Sequence, residues 1–301
     1  DSSGVPLVNT IVDGVVLACK TQVLDSPVTI DVPEQIGRGD GQFVDPFDDM
    51  DLIGQDRLPS EREEDLPAAK CFLDVSSPRL GDGLSDLDRL TRHLQQSLGK
   101  KEIVYPLPVL RSVADALRAD GGNVTVTLLR EADRLQVIEV EPGNRTDRHY
   151  GIAVDVGTTT LAVQLVSLAQ ARVMTTRSDY NDQVSCGLDV ISRIHYARRP
   201  DRREELRDRV LRTINRLVRQ ACESHEIKKE EIRHAAISGN TTMMHLLLGL
   251  NPEYIRLEPY TPTVLEVPYL TAAEIGIEIH PQSGVYLSPS VGSYVGGDIT
   301  A

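Results

Sequence analysis

The chain has 301 residues, with 45 Asp and Glu against 32 Lys and Arg, for a formal net charge of −13. That length suits two or three domains better than one, and a hydrophobic share of 40% beside 26% charged residues argues against wholesale disorder. The acidic balance disfavours unspecific nucleic-acid binding, no apolar run approaches the ~18 residues of a membrane span, and no secretory signal opens the sequence.

Residues 1–35 carry short β-like runs, Val15-Val16-Leu17-Ala18 and Val28-Thr29-Ile30, between turn residues. Residues 36–70 are rich in Asp, Glu, Gly and Pro and hold the run Glu61-Arg62-Glu63-Glu64-Asp65. Such a stretch cannot bury enough surface to offset its ordering entropy and is expected to be a solvated linker. Residues 71–148 predict a small α+β unit. Leu87, Leu90, Leu94 and Leu98 fall at helical spacing behind a Ser85/Asp88 capping box, and Val109 to Ala119 forms a second helix stopped by Gly121-Gly122. Val124, Val126 and Leu128 alternate with Thr125 and Thr127 as in a strand, and Leu135 to Val140 adds another. No catalytic cluster lies in this unit, so a packing or spacer role is expected.

From residue 149 to 301 three consecutive strands are predicted, Tyr150–Val156, Leu161–Leu168 and Ala171–Ser178. Helices follow at about 187–197 and 201–225, then a strand at Arg233–Ser238 and a short helix at Thr241–Leu248. In the long helix Leu206, Val210, Leu211, Ile214, Leu217, Val218 and Ala221 make one apolar stripe, while arginines and acids interleave around it as a solvated face. The four cysteines, at 19, 71, 186 and 222, have no CxxC spacing and fit a reducing cytoplasm. The seven histidines show no zinc-site spacing.

Three segments could carry chemistry. In Asp155-Val156-Gly157-Thr158-Thr159-Thr160 an apolar strand ends in a carboxylate, a glycine and three hydroxyl residues. Glycine permits positive φ and close approach of backbone to a ligand. Amides and hydroxyls in such a turn make a donor set for phosphate oxygens, and Asp155 can hold a Mg²⁺-bound water. In Ser238-Gly239-Asn240-Thr241 a strand stops at glycine and a helix begins. That start suits an anion, although Asn240 or Thr241 could simply cap the helix. Tyr294-Val295-Gly296-Gly297-Asp298 predicts another strand ending in Gly-Gly-Asp, or a plain loop. Met243, Met244 and His245 are expected in the core.

The first segment resembles the first phosphate motif of the actin, sugar-kinase and acetate-kinase ATPase superfamily. Together with Cys186-Gly-Leu-Asp-Val-Ile-Ser-Arg-Ile194, Ser238–Leu250 and Val295–Ala301, it resembles the ATP-dependent reductive activators of corrinoid proteins over essentially the whole chain. The resemblance implies a multi-domain α/β protein. An incomplete ribonuclease-H-like, actin/sugar-kinase-type ATPase fold at 149–301 would follow a middle α+β domain, an acidic linker and, at 1–35, the tail of a ferredoxin-like β-grasp domain. Cys19 then matches the fourth ligand of a plant-type 2Fe–2S cluster, whose other three cysteines belong upstream of residue 1. A second Asp-x-Gly-Thr motif belongs after Ala301, so the sequence reads as a piece of a longer one. The implied activity is ATP-dependent electron transfer from the cluster to a Co(II) corrinoid protein, regenerating Co(I) for methyl transfer. Asp155 would serve Mg²⁺ and catalysis. Gly157, Thr158, Thr159, Thr160, Gly239, Asn240, Thr241, Gly296, Gly297 and Asp298 would line the ATP cleft. A ferredoxin or flavodoxin would supply electrons in the cytoplasm; neither a membrane nor nucleic acid is expected as a partner. The oligomeric state stays open, a homodimer included. A small-molecule kinase of the same superfamily and a non-catalytic docking module are the alternatives.

Overall fold

The computed structural model describes residues 68–131, 134–293 and 295–300; Cys19 and the spans 1–35 and 36–67 lie outside them. The acidic segment gives way to β-structure at Ala68, three residues before the boundary expected at 70/71. From there β1 (Ala68–Asp74), β2 (Glu102–Val104), β3 (Asn123–Glu131) and β4 (Arg134–Pro142) form a sheet ordered β1-β3-β4-β2. The predicted helices are α1 (Asp86–Leu98), with its Ser85/Asp88 capping box, and α2 (Leu107–Ala119). Their apolar stripes, Leu90 and Leu94 with Val109, Val113 and Leu117, close over Val124, Val126, Leu135 and Val137.

The second sheet is built from β5 (Tyr150–Val156), β6 (Thr160–Ser167), β7 (Arg172–Tyr180), β8 (Ile232–Gly239), β9 (Leu270–Thr271) and β10 (Gly284–Leu287). Its order is β7-β6-β5-β8-β10-β9. β5, β6 and β7 form an antiparallel meander, and β8 and β10 add in parallel beside β5. This is the ribonuclease-H-like arrangement implied by the resemblance. Between meander and parallel strands the chain forms α3 (Val190–Tyr196) and α4 (Pro200–Glu223). Leu206, Val210, Ile214, Leu217 and Ala221 of α4 are fully buried in one core with Ile152, Val154, Val156, Leu161 and Val163, while Arg202 and Arg212 face solvent. Packing and helix propensity agree along this element, which is why its pattern is so legible. Among the described residues no helix is long and apolar enough to cross a membrane.

The two sheets meet at a polar seam. Arg233 of β8, almost fully buried, pairs with Glu139 of β4, and Lys70 of β1 pairs with Glu141 at 2.6 Å. His149, His234 and His280 surround these pairs. Burial holds His234 and His280 down at about 4 and His149 at about 3; the Lys70 and Arg233 charges add to the effect on His149 and His280. All three imidazoles are therefore neutral near neutral pH. At the opposite end, the carboxyl ends of β5, β8 and β10 lie side by side. In an α/β sheet the loops leaving such strand ends are where ligands bind.

Candidate functional site

β5 alternates with period two: Ile152, Val154 and Val156 enter the core, and Asp155 stands on the other face, partly exposed and partly desolvated. It lies in register beside Ser238 of β8. The chain then reverses through Gly157, Thr158 and Thr159 into β6, which takes Thr160 as its first residue. Gly157 does not use the left-handed region that glycine permits. What demands glycine is crowding, because a Cβ there would lie 2.5 Å from the Thr160 carbonyl oxygen.

Three successive carbonyls of this turn are held from behind. Asn181 donates its side-chain amide to the Gly157 carbonyl at 2.9 Å and its backbone N–H to the Thr159 carbonyl at 2.8 Å. Arg193 of α3 donates to the Thr158 carbonyl at 2.5 Å. With the carbonyls engaged on the protein side, amides and threonine hydroxyls are the polar groups left to the outer side of the turn. Asn181 and Gln183 are themselves fully buried, and the Gln183 side-chain oxygen accepts from both Asn181 and Arg193. The sequence reading misses this support. Asn181-Asp182 directly after a strand is a recognisable Asx-type cap, and the Asn181 side chain does cap Gln183. Arg193 carries no local signal, since its role depends on where α3 docks.

The second segment abuts the first. Asn240 donates to the Thr158 hydroxyl at 3.3 Å while its oxygen caps Met243 of α5 (Thr241–Leu247), so the binding and capping readings of Asn240 are compatible. Thr241 is buried and donates to the Gly292 carbonyl at 2.5 Å, and Val295 is also in range at 3.5 Å. Its hydroxyl thus ties the second segment to the third. Met243, Met244 and His245 are buried in the core, as expected.

The third segment is not strand-terminal, as the sequence suggested. The strand is β10, which ends at Leu287, and a loop leads to a short helix, α7 (Gly297–Thr300). Gly296 crosses so close to the start of α5 that a Cβ would overlap the Asn240 Cα. Asp298 is near enough to Asp155 to act on it. The Asp155 carboxyl is held above the ordinary carboxylate range, first by desolvation and then by the Asp298 charge. A divalent cation would relieve that repulsion, and a carboxylate pair opening onto solvent suits Mg²⁺ with several retained waters. The fold thus gathers Asp155, Gly157 to Thr160, Gly239 to Thr241 and Gly296 to Asp298 at the carboxyl end of the parallel strands.

The described residues do not fit an iron–sulfur cluster. Cys71, Cys186 and Cys222 lie on β1, a 3-10 turn and α4, all as free thiols, and among the described residues no group of three or more His, Cys, Asp or Glu could hold a metal.

Residues 150–301 match the family pattern described as the RACo middle region, and residues 61–147 match the RACo linker region. The chain is 32% identical over 168 residues to a protein of Eubacterium limosum named corrinoid activation enzyme RamQ; the match takes in 55% of this chain and 28% of RamQ. A solved structure titled reductive activator for corrinoid, iron-sulfur protein superposes with a TM-score of 0.74 at 41% identity, over 81% of this chain and 39% of that one. The chain therefore spans well under half the length of both.

Proposed function

The chain belongs to the RACo family, and from that premise we propose that the whole protein restores the reduced state of a corrinoid protein in an ATP-dependent step. The observation that carries this reading is the convergence of three glycine-containing segments around Asp155 and Asp298. The names of RamQ and of the solved reductive activator support the corrinoid as target.

In this reading Gly157 to Thr160 offer amides and hydroxyls to the phosphates, with the turn braced by Asn181 and Arg193. Asp155 and Asp298 would hold Mg²⁺, while Gly239, Asn240, Thr241, Gly296 and Gly297 bring the second and third segments against the turn. Such a site works by positioning and electrostatics, so no nucleophilic triad is needed. We assign residues 71–148 to a spacer unit and 149–301 to the nucleotide-binding part.

A 2Fe–2S cluster would supply, when bound, the one electron that separates Co(II) from Co(I). Cys19, beyond the described residues, is assigned to it together with cysteines outside this sequence. The substrate step is uphill, and each adverse ~59 mV costs about tenfold in equilibrium. Nucleotide can offset that only through states that grip the corrinoid partner differently. A ferredoxin or flavodoxin as donor and a cytoplasmic setting complete the proposal.

The test is ATP-dependent reduction of a Co(II) corrinoid protein by the full-length protein carrying Asp155→Asn, followed by the corrinoid absorbance. Activity is expected to fall about 10²-fold or more, as for the loss of a charge positioned for phosphoryl chemistry. Unchanged ATP-dependent reduction would sink the assignment of Asp155.

A further inference from the structure

The largest fully buried side chain among the described residues is that of Arg193. It donates from Nε to the Gly187 carbonyl at 2.9 Å, from Nη1 to the Gln183 side-chain oxygen at 3.1 Å and from Nη2 to the Thr158 carbonyl; the Met243 sulfur lies 3.3 Å from Nη1. None of these partners is a carboxylate. Burial brings the guanidinium down to about 10, which leaves it cationic at neutral pH, and Asp189 and Cys186 act on it only through space. A buried cation without a contacting counterion is costly. Purely structural bracing of carbonyls could be done by a neutral amide, as Asn181 does for Gly157 in the same network.

We propose that Arg193 is a positioning residue for polyphosphate. It fixes the Thr158 carbonyl inward so that the turn presents its donors, and its charge directly behind the turn, with no carboxylate in contact, favours ligands with more negative phosphate groups. A phosphate held on the far side of the turn would supply the counter-charge. The inference rests on the reading of Gly157 to Thr160 as the phosphate cradle, and it assigns the charge preference of that cradle to a residue on a different element.

The experiment is titration of the full-length protein with MgATP and with adenosine, for the unaltered protein and for Arg193→Met, Arg193→Lys and Gln183→Glu, with a thermal melt of each. Gln183→Glu places a carboxylate on the guanidinium at the existing 3.1 Å contact and cancels its charge; it also removes the hydrogen bond from the Gln183 amide to the Leu206 carbonyl at 2.9 Å, a structural loss that the adenosine titration and the melt register. Arg193→Met and Gln183→Glu are expected to weaken MgATP binding about tenfold or more, with adenosine affinity changed less than about twofold. Arg193→Lys should recover part of the loss. Equal losses for MgATP and adenosine, or no loss for either, would overturn the charge role. If Arg193→Met gives no cooperative melt, Gln183→Glu decides alone. Failure of the unaltered protein to bind MgATP removes the cradle reading itself, an outcome distinct from a cradle that binds MgATP regardless of the charge at Arg193.

Discussion

Acidification should loosen the seam between the two sheets, and His234 is the residue through which to measure it. In the folded chain His234 sits at about 4 against an ordinary 6.5, held there by burial, and its Nδ1 has no hydrogen-bond partner. A folded value below the unfolded one means that the unfolded chain binds the extra proton, so the contribution is complete above about 6.5 and drains away as pH falls toward 4. Between pH 7 and pH 5 that amounts to about 2 kcal/mol for His234. His149, at about 3, and His280, at about 4, contribute in the same direction with similar size. Glu139 opposes them: desolvation raises its carboxyl despite the Arg233 charge, so it gains stability as pH falls. Lys70, Arg233 and Glu141 complete the charged groups facing the site. The decisive variant is His234→Phe, which keeps an aromatic ring 6.0 Å from that of Tyr269 and removes an unsatisfied nitrogen. Urea unfolding followed by circular dichroism at pH 7 and pH 5 should show little change at pH 7. The drop in stability on acidification should be smaller than in the unaltered chain by about 2 kcal/mol. Equal drops in the two proteins would refute the linkage assigned to His234.

The other expectations concern the turn and the seam. Gly157→Ala puts a methyl 2.5 Å from the Thr160 oxygen; forcing that contact should cost about 1–3 kcal/mol, and a MgATP titration should show affinity falling about tenfold while the far-UV spectrum stays native. Arg233→Met strips Glu139 of its partner and should destabilise the chain by about 2–4 kcal/mol in chemical unfolding at pH 7. The penalty should shrink toward acid as Glu139 takes up a proton, and a pH-independent penalty would contradict the ion pair as its source.

Elements whose local pattern and burial agree are legible in the amino-acid sequence alone. Helix α4 displays seven apolar residues on one stripe, and all seven are buried. The Ser85/Asp88 box starts α1 as a local hydrogen-bond cycle needing nothing beyond its own four residues. β5 spans the predicted Tyr150–Val156 because buried strands next to a polar turn punctuate themselves. β2 and β10, three and four residues long, escape the sequence pattern, since so short an apolar run has no period of its own and becomes a strand only when a neighbour offers a free edge. The same limit misplaces the third segment, where Tyr294 to Asp298 looks strand-terminal although β10 ends at Leu287.

The residue types of the candidate site are likewise written in the sequence. Asp155 with its glycine and threonines, the Gly239 junction and the Gly296-Gly297-Asp298 turn each announce a backbone that bends sharply and carries small polar groups. Their meeting is a tertiary matter. It depends on β5, β8 and β10 running parallel, which brings residues 155, 239 and 296 to one end of the sheet across gaps of dozens of residues. Only the folded chain places Arg193 under the turn and the histidines in the seam. A buried charge has no sequence period; its partners are carbonyls, and any residue supplies one of those.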